Sequence, residues 1–398
     1  MLATALNGVR VLDFTHLAAG PVCTMLLADM GADVIKVEPP QGDLARKLGP
    51  PWANGESVTF MAMNRNKRSL TLDLKHPQAA DLVREMVAQT DVLVESFRPG
   101  VMDRLGIGYD ELCAVRPALV YCAITAYGQS GPWRDKPGVD GVLQAISGLM
   151  SITGEEGSAP SKAQTPTIDM VTGFLAVPAI LAALRQRDAT GAGQKLDVNM
   201  YASAWMLQQT SIASYLFTRS VPARCGSAAP YAAPNEAFCA SDGYMMIAAY
   251  QPDRWVKLCA AVGRPELAGD PRFVDLAARV ANRAALVSEL NACFQCRPRA
   301  YWIEKLERED IICAAVCDYS EVVASPQADF NALVMQTSHP IAGRLAMPGF
   351  ALGGSPRDAP LRHRPPLHGE HTHAVLGEFG FDADRITQLT QAGVVHAG

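Results

Sequence analysis

At 398 residues the chain exceeds what one core usually serves, so a large and a smaller domain are expected. With 49% hydrophobic and 19% charged residues it has the composition of an ordinary globular protein, which excludes a largely disordered chain. A formal net charge of -5 argues against nonspecific nucleic-acid binding, which needs a basic surface, while leaving room for a local basic pocket for a phosphorylated ligand.

Residues 9–14 read as a short buried strand, 21–30 as a helix with Pro21 near its start, and 34–37 as the next strand after Gly31. That spacing is a βαβ unit. The alternation continues with a strand at 69–74, an amphipathic helix at 77–89, and strands at 92–94 and 119–124. It predicts an α/β fold: a Rossmann-like large domain whose parallel sheet is covered by helices. Residues 170–215 read as largely helical, interrupted by a glycine turn at 189–193 and a strand at 195–198. A Gly/Ala/Pro-rich linker at 221–234 precedes a strand at 244–249 and several helices, which form a smaller α+β domain. A second linker follows, and 370–391 is helical. The expected division is 1–200 for the large domain, 201–234 for a helix and linker, and 235–324 for the small domain. Residues 325–360 then form a return linker, and 361–398 complete the large domain.

The ten cysteines are spread widely and fit free thiols in a reducing compartment. Residues 1–7 lack a basic region and cleavage site, so no signal peptide is read. The most apolar run, 170–184, contains Pro178 and falls short of the ~20 residues that span a bilayer, so a core helix is expected. A cytoplasmic protein without membrane or nucleic-acid partners follows.

Parallel sheets place ligands at the carboxyl ends of their strands. The loops there carry Thr15-His16, Glu38 to Asp43, Glu95 to Gly100 and Thr125 to Gly128. The same loops fall in five ordered blocks. They are residues 27–43, ending Val37-Glu38-Pro39-Pro40-Gln41-Gly42-Asp43; Asn64-Arg65-Asn66-Lys67-Arg68 through Lys75; and residues 91–106. The fourth runs from Tyr127-Gly128-Gln129-Ser130-Gly131-Pro132 to Gly148, and the fifth is Gly369-Glu370-His371-Thr372. In this the chain resembles the class III CoA-transferases, a group that includes formyl-CoA and carnitine or bile-acid CoA-transferases and is related to α-methylacyl-CoA racemase. The resemblance implies an open-ring subunit, with a large domain built from both chain ends, and an interlocked homodimer.

Asp169, just before the apolar run, is locally a good helix N-cap. By resemblance it is also the catalytic aspartate, and a helix start would keep its carboxylate ionised. Its attack on an acyl-CoA thioester would give a mixed anhydride and CoA thiolate, then an aspartyl-CoA thioester from which an acceptor acid takes the CoA. That sequence calls for acyl-CoA and a small organic acid as substrates and for no tightly bound cofactor. The resemblance assigns CoA contacts to Arg104 and to Ser96, Phe97 and Arg98. It also assigns Leu72, Asp73, Leu74 and Lys75 to the adenosine end, and Leu17 and Ala18 to the pantetheine end. His16 is either a packed loop residue or a pocket group. Asp140 either positions substrate or bonds backbone, and Lys136 is placed to meet a phosphate or an acidic substrate.

Two departures stand out. A glycine-rich lid found in some relatives is replaced by 224–230 with a single glycine, and residues 312–316 replace a Pro-Cys-Gly-Pro-Val type run. Cys293, Cys296, Cys313 and Cys317 approach zinc-ribbon spacing, but the segment between them reads as a helix, so no metal is expected. The alternative activities are an α-methylacyl-CoA racemase and a non-catalytic CoA-binding protein. Racemases carry His after the glycine that corresponds to Gly138; here Val139 cannot transfer a proton, which favours CoA transfer.

Overall fold

The structure, a computed structural model, describes residues 2–350 and 361–398. The last ten residues of the expected return linker lie outside the described residues. The chain forms two compact units: Met1–Leu149 with Lys162–Arg219 and Pro326–Gly398, and Met150–Ser161 with Ser220–Ser325.

The first unit is built on seven strands: β1 (Arg10–Phe14), β2 (Asp33–Glu38), β3 (Lys67–Leu72), β4 (Val92–Glu95), β5 (Val120–Thr125), β6 (Gln194–Asn199) and β7 (Val395–His396). Their order is β7-β3-β2-β1-β4-β5-β6, parallel except for β7, which runs antiparallel along the β3 edge. The chain winds from β1 outward through β2 to β3, then restarts at β4 on the other side of β1. The loops after β1 and β4 therefore diverge, and the crevice between them is the topological switch point where such sheets bind ligands.

Both faces of the sheet are covered, which explains why its strands read as nearly continuous apolar runs. Side chains alternate between the faces. Leu12, Ile35, Leu70 and Leu93 pack with Val83, Met86, Val375 and Leu376 on one side. Val11, Val34, Val92, Val94 and Val120 pack on the other with Cys23, Leu27, Ile180 and Leu184. Three helices prepare the site: α1 (Ala19–Asp29), α2 (Asp140–Ile146) and α3 (Thr167–Thr190). Helix α3 has 24 residues, enough to cross a bilayer by length and composition alone. The apolar run 170–184 is only the middle of this longer helix. What marks α3 as a core helix is the packing of Ala176, Val177, Ile180, Ala183 and Leu184 into the sheet's apolar layer.

The second unit pairs antiparallel strands Asn235–Ala240, Gly243–Ala248 and Ile312–Ala315 under helices that include Pro252–Ala261, Arg283–Phe294 and Arg299–Arg308. Phe238, Trp255, Phe294 and Trp302 fill its core. Buried Arg279 donates to the carbonyls of Ala233, Phe273 and Tyr250, tying strand ends to helices. The cysteines are free thiols, and no metal-sized group of His, Cys, Asp or Glu exists among the described residues.

The region after residue 325 corrects the linker reading. It forms the helix Pro326–Phe330 and a hairpin of Val334–His339 with Gly343–Pro348. Leu345 and Met347 alternate inward onto Ala45, Phe60 and Met61, a period-2 pattern that the glycines and prolines obscured.

Helix α3 crosses α1 at Gly173, where an added Cβ would stand 2.7 Å from the Ala19 carbonyl oxygen and 3.0 Å from the Val22 side chain. Backbone cannot yield as a flexible side chain does, so Gly173→Ala is expected to cost ~1–3 kcal/mol by overpacking. Gly377→Ala, on an exposed helical turn where the new methyl meets nothing within 4 Å, should leave stability unchanged or slightly raised. Thermal unfolding of the two variants beside wild type checks this contrast.

Candidate active site

At the switch point lies a cavity of about 410 Å³ in the first unit. Its walls are the loop after β1, the start of α1, the loop after β4, the end of β5, residues 134–139, and Asp169 near the start of α3.

The loop after β1 rests on buried ions. Lys36 Nζ lies 2.8 Å from Asp43 Oδ2 and donates to the Thr15 carbonyl at 2.9 Å. Lys67 Nζ lies 3.0 Å from Asp13 Oδ2 and also donates to the Pro21 carbonyl at 3.0 Å. Asp13 accepts from the Thr15 N–H and from the hydroxyls of Thr15 and Thr24. Burial favours the neutral Asp13 carboxyl, but Lys67, Lys36 and these hydroxyls outweigh it and hold the group far below the usual carboxylate range. Burial pulls the Lys67 ammonium down to about 8, against the pull of Asp13. Asp43 Oδ1 accepts the Leu17 N–H at 3.2 Å, which holds Leu17 at φ 66°, a left-handed conformation uncommon outside glycine. Glu38 accepts from the Asp43 N–H, from Ser69 and, bidentately, from Arg46. At Gly20 a Cβ would fall 2.3 Å from that of Thr15, so only glycine lets α1 start this close to the loop. Helix α1 has no side-chain cap, and its first residues Ala19 and Gly20 line the cavity.

Asp169 is the third residue of α3, not its N-cap; the N-cap is Pro166, which offers no side chain to bond. The cap comes from α2. Asp140 Oδ2 accepts the N–H groups of Ile168 at 2.7 Å and Asp169 at 3.2 Å, and its other oxygen is held by Gln144. Of the two roles open to Asp140, the structure shows the backbone one. Among the described residues, neither oxygen of Asp169 accepts a hydrogen bond or pairs with a cation. Burial first, and the neighbouring Asp140 carboxylate second, push its pKa up to about 7. Burial and this like charge therefore act against the ionisation that a helix start favours.

On the β4 side, the His16 N–H donates to Ser96 Oγ at 2.9 Å, and the His16 ring stands edge-on to Phe97 at 5.1 Å. Glu95 Oε2 accepts the Phe97 N–H at 2.7 Å and shapes that loop. Burial raises Glu95 to about 7, although that bond opposes the shift. The fold thus brings His16, Leu17, Ala18, Ser96, Phe97, Arg98, Lys136 and Asp169 to one cavity. Leu72 ends β3, two strands from β1, Asp73, Leu74 and Lys75 follow it, and all four lie outside the cavity. There Leu72 and Leu74 join the core, the Asp73 side chain accepts the Lys75 N–H, and Lys75 is exposed. Arg104 is also outside the cavity, exposed, with its guanidinium near Gly100.

Arg134 was missed. It lines the cavity, and its guanidinium also approaches Gly100, but nothing in its local sequence sets it apart from other loop arginines. Lys136 lies over the Trp133 ring at 4.5 Å. With Arg98, these give the cavity three cationic side chains.

The model of CoA-transferase family III matches residues 6–372. A succinyl-CoA:glutarate CoA-transferase of Mus musculus is 38% identical over 392 residues, covering 98% of this chain and 90% of the relative. An acetyl-CoA:oxalate CoA-transferase of Acetobacter aceti is 36% identical, covering 94% and 95%. The crystal structure of a CaiB/BaiF family protein from Brucella suis superposes with a TM-score of 0.85 at 34% identity, covering 94% and 99%.

Because the folded state raises the Asp169 pKa above its value in the unfolded chain, the associated stability is full at low pH and is lost as pH rises from about 4 through 7. Asp169→Asn removes that loss. The variant should therefore be more thermostable than wild type at pH 8, with the difference shrinking steadily towards pH 5. A pH-independent difference in Tm would contradict the shifted carboxyl.

Proposed function

The chain belongs to CoA-transferase family III, and from that premise we propose that it moves CoA from an acyl-CoA to a carboxylic acid through a thioester on Asp169. The observation that carries this reading is the Asp169 carboxyl itself: half-buried, unpartnered and pushed up to about 7 in a cavity at the sheet's switch point. A structural carboxylate in such a place would be paired. An unpaired one is a reactive nucleophile once ionised.

Ionised Asp169 attacks the thioester carbonyl and expels CoA thiolate, leaving an acyl-aspartyl anhydride. The thiolate then attacks the aspartyl carbonyl, releasing the donor acid and forming aspartyl-CoA. The acceptor carboxylate reverses both steps. Leu17, Ala18, Ser96, Phe97, Arg98 and Lys136 hold the CoA within the cavity, with Arg104 and the 72–75 segment along its outer reach. Asp140 fixes the start of α3 so that Asp169 faces the cavity. Val139 lines the same cavity and carries no proton, which supports acyl transfer over racemisation.

The acid substrates are dicarboxylates. The relatives are named for succinyl-CoA with glutarate and for oxalate, and Arg134, the cavity cation not assigned to CoA, suits a second carboxylate.

The enzyme works as a homodimer in the cytoplasm. Helix Gln209–Thr218 buries no residue, and Trp205, Met206, Tyr215, Leu216 and Phe217 are exposed, Phe217 at 90%. An apolar face of this kind suits coverage by a second copy, in the interlocked manner that the family resemblance implies.

Asp169→Asn should lower kcat by ~10³-fold or more while leaving CoA binding within a few-fold. Transfer from succinyl-CoA should be faster to glutarate, malate or oxalate than to acetate or butyrate. Retained activity in the variant, or a preference for monocarboxylates, would contradict the respective parts of this reading. In light scattering the wild type should have twice the mass of one chain, and Leu216→Asp with Phe217→Asp should reduce that mass.

A further inference from the structure

Attack by Asp169 converts the thioester carbonyl oxygen into an oxyanion, and a low-dielectric cavity requires a fixed donor there. The cavity wall carries a side chain suited to that task. His16 lines the same cavity as Asp169, and its backbone is held on both sides. Its N–H is bonded to Ser96 Oγ, and the following residue, Leu17, is tied to Asp43 over the buried Lys36 and Asp13 network. Phe97 fixes the ring from one edge at 5.1 Å. Among the described residues neither imidazole nitrogen has a hydrogen-bond partner.

Asp169 shares the cavity wall with this loop. It lies four residues before Gly173, hence on the same face of α3, and Gly173 is seated against the Ala19 carbonyl at the start of α1. Asp169 and residues 16–18 line the same cavity.

We infer that His16 is a second catalytic residue, donating an imidazole N–H to the oxygen of the thioester as Asp169 attacks. This rests on Asp169 being the nucleophile. Burial, with Lys36 adding to it, depresses the imidazole pKa below its ordinary value, so His16 is neutral at pH 7 and keeps one N–H to donate. In the step, the Asp169 oxygen bonds to the thioester carbon, and the carbonyl π pair moves onto oxygen, where it accepts the hydrogen bond. When the C=O re-forms, the C–S bond breaks and its electron pair leaves on sulfur as CoA thiolate. No proton is transferred from His16, which is ready for the second attack on the aspartyl carbonyl.

The test compares His16→Leu, which fills the space without a donor, with His16→Gln, which restores an N–H. The readouts are kcat and KM for succinyl-CoA, together with Tm. His16→Leu should lower kcat by ~10²–10³-fold with KM within about threefold of wild type, and His16→Gln should be at least about tenfold faster than His16→Leu. The inference is overturned if His16→Leu keeps kcat within about threefold of wild type, if the loss falls on KM alone, or if His16→Gln is no better than His16→Leu. Should His16→Leu fail to fold, His16→Gln decides: kcat within about tenfold of wild type supports the donor role, and a larger loss with normal Tm overturns it. If Asp169→Asn is dead while His16→Leu is fully active, this inference alone fails. If Asp169→Asn is active, the reading of Asp169 fails and this inference with it.

Discussion

The buried pairs Lys36–Asp43 and Lys67–Asp13 are the constraint on which the site depends. Neither is a cheap source of stability, because desolvating two charges can cancel their attraction. Their effect is geometric. Each lysine also donates to a backbone carbonyl, of Thr15 or Pro21, and each aspartate accepts backbone N–H groups, of Thr15 or of Leu17 and Ala45. The turn between β1 and α1 is thus fixed at several points before any ligand enters. That turn carries one wall of the cavity, and it positions α1, on which α3 and therefore Asp169 are seated through Gly173.

Against this rigid frame Asp169 is an unfavourable group. Asp140 caps α3 and in doing so places a carboxylate beside Asp169, which is already partly removed from water. A second aspartate as cap gains its charge-assisted bonds to Ile168 and Asp169 at the cost of raising its neighbour's pKa. The balance leaves Asp169 near the midpoint of its titration at neutral pH, and under the proposed mechanism this would keep a nucleophilic fraction available without a stabilising partner to be broken at each turnover.

The sheet was legible because its strands are apolar runs of the right length, separated by helices and punctuated by Gly31 and Pro77. The hairpin after residue 333 was not, because Gly343 and Pro348 mimic linker composition and only alternate residues are buried. The same motif residues that identify the family turn out to work inside the fold. Lys67 reaches Asp13, Arg65 and Asn66 hold Asp29, and Gly369 and Thr372 dock the carboxyl-terminal segment onto Ser69 and Thr71. At the site, the loops after β1 and β4 could be read from the rule for parallel sheets. The role of Asp140 could not, since a cap supplied from 29 residues away leaves no local signature. Arg134 was equally silent, because its place on the cavity wall follows from the path of a loop and not from any pattern in the chain.

The central claim, a covalent thioester on Asp169, is tested most directly by trapping it. The enzyme is incubated with succinyl-CoA, quenched with hydroxylamine, digested and analysed by mass spectrometry. The account expects a hydroxamate on the peptide at Asp169, formed only when acyl-CoA was present and absent from Asp169→Asn. An active enzyme whose Asp169 peptide stays unmodified, or which is modified at another residue instead, would contradict it.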